Sequence, residues 1–189
     1  MRRGRSTVVG LVGEVSDGLL AELGRLPNVA VVRADGDGLD AAAGALATAS
    51  GLEVTYALVA ADPLAGVAEQ WRARWDVGAG PDAFEEVAGV AIAAWRAGRF
   101  ELPDYYVVVA AEPAPEESRA APHRFDLYLG VLHAERPAWV VAVAPAASGA
   151  RETAARVAHA LGSLPQGPWW PPLDDLVASA RTFFPGRAA

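Results

Sequence analysis

The chain has 189 residues, 52% of them hydrophobic, which suits one substantial core rather than two. Its 23 acidic residues outnumber 16 basic ones for a net charge of -7, a field that opposes a phosphate backbone, so no nucleic-acid partner is expected. With no Cys and no Lys, thiolate nucleophiles, Cys-ligated zinc, iron–sulfur clusters, Schiff-base chemistry and the phosphate-gripping lysines of Walker A loops and kinases are all excluded.

The all-arginine basic set and the heavy use of Ala, Gly and Pro are the composition of a GC-rich genome. Residues 1–6, with Arg2, Arg3 and Arg5, read as a disordered basic tail, and residues 7–186 as a single α/β domain. Thr7 to Val12 is a β-branched apolar strand, too short for a signal sequence or a membrane span, so a cytoplasmic protein with no membrane partner is expected. Asp17 to Leu26 has helical spacing in Leu19, Leu20, Leu23 and Leu26, and Val29 to Arg33 is again strand-like.

An Ala-rich helix follows from Leu39 to Ala49, then a strand from Val54 to Ala61. Asp62 is placed to cap the next helix, with Pro63 at its first position and Leu64, Val67, Ala68, Trp71 and Trp75 on its buried stripe. A further helix starts at Pro81 and buries Phe84, Val87, Ala88, Ala91 and Trp95, with acids in its first turns and Arg96 and Arg99 near its end.

From Tyr105 the pattern changes to three strand-like runs, Tyr105 to Ala111, Phe125 to His133 and Trp139 to Ala144, with a mobile Pro- and Glu-rich loop from Glu112 to Arg124. Two amphipathic helices close the chain, Gly149 to Leu164 capped by Ser148, and Pro172 to Phe184. The fold expected is a three-layer α/β domain with helices on both faces of a mixed sheet. Its N-terminal βαβαβ half is parallel and its C-terminal half is an antiparallel three-stranded meander.

Three carboxylates, Asp35, Asp37 and Asp62, end parallel strands, where open α/β sheets build their sites, and are the candidate catalytic residues. Asp35-Gly36-Asp37-Gly38 resembles the Asp-x-Asp-Gly element of haloacid-dehalogenase-like phosphatases, which implies a carboxylate nucleophile and a Mg2+ site. It departs from that pattern with Leu39 in place of a hydroxyl residue, no partner Lys and a position after the second strand. The competing reading is a turn in which Asp37 caps the following helix.

Gly10, Gly13 and Gly18 with Asp35 look like a degenerate dinucleotide-binding unit, but the Gly-x-Gly-x-x-Gly order is absent and Glu14 and Asp17 oppose phosphates. His133 and Glu135, two apart on an expected strand, share a face and with His159 would supply two imidazoles and one carboxylate to a metal; Asp35 and Asp37 are separate candidate metal ligands. His123 and Asp126 form a similar pair at the loop end.

Trp169 and Trp170, framed by prolines, either clamp the last helix to the body or anchor a partner. Because catalytic residue types are scarce, the function expected is that of a non-catalytic accessory protein, without a cofactor, binding a protein partner or itself as a homodimer. The alternative is an enzyme or binding domain for a small or phosphorylated metabolite, using the strand-end acids with Mg2+.

Overall fold

The computed structural model describes residues 6–110, 123–165 and 170–185. Strands β1 (Thr7–Gly13), β2 (Val29–Val32), β3 (Tyr56–Val59), β4 (Tyr105–Val109) and β5 (Val140–Val143) form one sheet in the order β2-β3-β1-β4-β5. Every pairing is parallel. The two central strands, β1 and β4, are buried along nearly their whole length, as unbroken apolar runs covered on both faces should be.

Helices α1 (Asp17–Leu23), α2 (Gly38–Ser50), α3 (Ala65–Asp76) and α4 (Pro81–Arg96) belong to the first half of the chain. The second half has a π-helical segment, Leu127–Leu132, running into the single turn α5 (His133–Glu135), then α6 (Ala150–Gly162) and α7 (Leu173–Thr182). Helices α1 and α6 pack together over Val9, Leu11, Leu58 and Val107 on one face. On the opposite face α2 and the π-helix lie against the sheet, and α3, α4 and α7 join them in one cluster with Val8, Val12, Val59, Tyr106 and Val108. Among the described residues no helix is long and apolar enough to cross a membrane.

The antiparallel meander is not formed. Between Phe125 and His133 the residues that become buried are Leu127, Tyr128, Val131 and Leu132, a helical spacing in place of the expected strand. This segment carries the chain across one face of the sheet, so β5 returns parallel to β4 with Val107 opposite Val141. The expected Glu112–Arg124 loop falls, apart from His123 and Arg124, outside the described residues, as do the tail residues 1–5.

Helix α1 starts at Asp17 as expected, whereas the starts of α3 and α6 are held differently. Ser16 caps α1, its Oγ accepting the Leu19 N–H at 3.2 Å. Ser148 does not cap α6: its hydroxyl donates to Glu152, while Thr153 Oγ1 accepts the Ala146 N–H at 2.8 Å. Helix α3 begins at Ala65, with Asp62 Oδ1 accepting the Leu64 N–H at 3.1 Å in the turn before it. Trp71 is fully buried, and its indole N–H donates to the Ala180 carbonyl of α7 at 2.8 Å.

The topology opens a crevice. Strand β1 leads into α1 on one face, whereas its neighbours β3 and β4 lead to α3 and the π-helix on the other, so the connections diverge at the carboxyl edge beside β1.

Candidate functional site

At that edge lies an open cleft of about 700 Å³, walled by the ends of β1, β2 and β3, by one side of α3 and by Arg124, Phe125 and Tyr128. Its floor is built of small residues, Gly13, Ala34, Ala60 and Ala61. On α3 the lining residues are Ala65, Ala68, Glu69 and Arg72, spaced as one helical stripe.

Asp62 lines the cleft at the end of β3 and joins three elements. Its Oδ1 accepts from the Tyr106 hydroxyl of β4 at 3.0 Å, and its Oδ2 accepts from the Tyr128 hydroxyl of the π-helix. The Tyr106 and Tyr128 rings lie 5.5 Å apart, so the carboxyl is held between two phenols. Burial pushes the Asp62 carboxyl above its usual range, against the opposing pull of the hydrogen bonds from Tyr128, Leu64 and Tyr106. Burial, reinforced by the neighbouring Asp62 charge, pushes both tyrosine hydroxyls well above the ordinary phenol range. The phenols therefore stay protonated and act as donors.

Three arginines line the same cleft from separate stretches: Arg33 after β2, Arg72 in α3 and Arg124 before the π-helix. Each is oriented by an acid outside the lining. Arg33 pairs with Asp17, Arg72 with Asp76 at 3.2 Å, and Arg124 lies 3.6 Å from Glu14 and 4.9 Å over the Phe125 ring. A guanidinium has five N–H donors, so one carboxylate partner does not exhaust it. The Asp76 side chain is fully shielded and also accepts the His123 N–H at 3.3 Å, while His123 Nδ1 lies 2.8 Å from Asp126. The His123–Asp126 pair thus belongs to the network that docks the Arg124 segment onto α3.

Of the strand-end carboxylates, Asp37 and Asp62 line the cleft and Asp35 does not. Asp37 occupies the N-cap position of α2 but makes no capping hydrogen bond, so the capping role expected of it is not realised. The two carboxylates that a dehalogenase-like metal site would need together are therefore split between the cleft and the exposed turn. Gly13 serves the sheet: its φ is +97°, and a Cβ there would lie 2.2 Å from the Val109 carbonyl oxygen.

His133 and Glu135 lie in a helical turn rather than on a strand, so their shared strand face does not exist. The His133 ring is 3.3 Å from the Val140 carbonyl, and Glu135 accepts from the Ser179 hydroxyl at 2.6 Å. His159 stands on α6, on the far face of the sheet. Among the described residues no group of three or more His, Asp or Glu is placed to hold a metal ion. Trp169 lies outside the described residues. Trp170 is half-buried, donates its indole N–H to the Pro103 carbonyl at 2.8 Å and packs edge-on against Tyr106 and Trp139.

Tyr106, Tyr128 and the three arginines were not legible as site residues. Asp62 meets partners 44 and 66 positions away, which only the strand order brings together. The one available signal was the polar end of the α3 stripe, Glu69 and Arg72, opposite its buried tryptophan. Comparison of the chain with protein-family models, with curated proteins and with solved structures gives no significant match.

Proposed function

We propose that the domain binds a small metabolite bearing an acid group, a phosphate or a carboxylate, in the cleft at the carboxyl edge of its sheet. The observation that carries this reading is the arrival of Arg33, Arg72 and Arg124 from three separate stretches on one cleft, in a chain whose net charge is -7. Oriented guanidiniums recognise phosphate and carboxylate groups through paired N–H donors. Asp37 and Glu69, exposed at the rim, restrict the site to ligands of modest negative charge. The shielded Asp76 supports the same reading for Arg72, because it holds that guanidinium in place before a ligand arrives.

The test is calorimetric titration of the full chain with inorganic phosphate, short alkyl phosphates and small dicarboxylates. Saturable binding is expected, weakened about tenfold or more in Arg72→Gln and Arg124→Gln, the loss appropriate to a charge-assisted hydrogen bond. Binding unchanged in both variants, or no binding by any of these anions, would overturn the reading.

A second reading, an accessory protein that binds a partner or a second copy of itself, is favoured by one observation. Val77 and Phe184 are exposed, and Phe184 packs edge-on against Trp75, giving a small apolar surface beyond the end of α3. Sedimentation of the wild type and of Phe184→Ser tests it. Concentration-dependent association lost in the variant would favour this surface, and a monomer at all concentrations would sink the self-association form.

A further inference from the structure

We propose that Asp62 is the specificity-determining acceptor of the cleft, taking a hydroxyl or ammonium group of the same ligand whose acid group the arginines hold. This rests on the anion-binding reading above and adds a second requirement to the ligand.

An ionised carboxyl has about four acceptor positions. Three are filled at Asp62, by the Tyr106 hydroxyl at 3.0 Å, the Leu64 N–H at 3.1 Å and the Tyr128 hydroxyl. Among the described residues no donor takes the fourth position, and Asp62 itself lines the cleft. In a withdrawn carboxyl an unfilled acceptor is costly, so a ligand that supplies a donor is favoured over one that places a methyl group there. The two phenols cannot fill that position, since each already commits its single O–H to Asp62.

The site is also rigidly supported. Tyr106 comes from a fully buried central strand, and Tyr128 from the π-helix, a rare geometry that recurs at functional sites. The stripe on α3 sets the separation of the two ends: from Ala65 beside Asp62 to Arg72 the helix advances about 10 Å. Between them Ala65 and Ala68 leave room for a short chain. The ligand class is therefore an acid-bearing molecule with a hydroxyl or ammonium several bonds from its phosphate or carboxylate.

The experiment uses three probes of matched length on the wild-type chain: pentyl phosphate, 5-hydroxypentyl phosphate and 5-aminopentyl phosphate, titrated calorimetrically at neutral pH. At least one of the two functionalised probes is expected to bind about tenfold or more tighter than pentyl phosphate. The two arms distinguish a hydroxyl ligand from an ammonium one. In the near-isosteric Asp62→Asn, with its fold checked by circular dichroism, any advantage of the amino probe should disappear. Pentyl phosphate binding as tightly as both others would overturn the role of Asp62 while leaving the arginine site standing. Failure of all three probes to bind would refute the anion site, and this proposal with it.

Discussion

Gly10 of β1 lies directly opposite Tyr106 of β4 in the parallel register, and a Cβ at Gly10 would sit 3.0 Å from the Tyr106 ring. The absent side chain gives the ring the space from which its hydroxyl reaches Asp62. Gly10→Ala should therefore displace Tyr106, because Pro103 also closes on that position at 3.1 Å and the neighbours have little room to yield. A loss of about 1–3 kcal/mol is expected from overpacking, read from the urea midpoint. Gly10→Ala with unchanged stability and an intact Tyr106–Asp62 bond in its crystal structure would contradict this account.

The raised pKa of Asp62 fixes the sign of its pH dependence. Between the ordinary carboxyl range and the higher native value, the native state binds more protons than the unfolded chain, so stability attributable to this group falls as pH rises through that window. Below the window the penalty is absent. Subtracting the unfolding free energy of Asp62→Asn at each pH isolates the effect. The difference should move against the wild type from acid pH towards neutrality, and a difference moving the other way would show that the hydrogen bonds outweigh burial.

Trp71 tests the contact between α3 and α7. It is fully buried and donates to the Ala180 carbonyl at 2.8 Å, so Trp71→Ala should cost about 3–5 kcal/mol. Trp71→Phe keeps most of the apolar volume but leaves the carbonyl without that donor, for a loss of about 1–3 kcal/mol. Chemical denaturation of both variants checks the order, and equal losses would assign the whole effect to the lost hydrogen bond rather than to packing.

Trp170 bridges the two hydrophobic clusters through Tyr106 and Trp139 and holds the Pro103 carbonyl. Trp170→Ala is expected to lower stability by about 2–4 kcal/mol, less than a fully buried ring because the residue is half-exposed. An unchanged melting temperature combined with lost self-association would instead make it a partner anchor.

Arg181 of α7 grips Glu85 of α4 through two hydrogen bonds, at 2.9 and 2.7 Å, and the Arg181 hydrogen bond holds the Glu85 carboxyl below its usual range. Its contribution is present above the ordinary carboxyl pKa and is lost as pH falls through the depressed native value. Both side chains are more than 40% exposed, which limits the pair to about 0.2–1 kcal/mol. Arg181→Gln should lose that amount at low salt and less at 1 M NaCl. A larger, salt-independent loss would point to packing by the arginine stem.

The sequence by itself determined the elements whose patterns are local and strong. The βαβαβ opening, the buried stripes of α3 and α4 and the two closing helices are set by apolar periodicity and by Pro, Asp and Gly at element ends, which act within a few residues of where they stand. Asp62 was legible as a strand-end carboxylate for the same reason. The tertiary structure alone decided the rest. Leu127 to Leu132 fits both a strand and a helix, and the choice fell to the helix because burying Leu127, Tyr128, Val131 and Leu132 together over one face of the sheet requires it. That choice made β5 parallel and removed the strand on which His133 and Glu135 would have shared a face. The convergence of Tyr106 and Tyr128 on Asp62, and of three arginines on one cleft, follows from strand order, because contacts between residues 44 to 66 positions apart leave no periodicity in the chain to read.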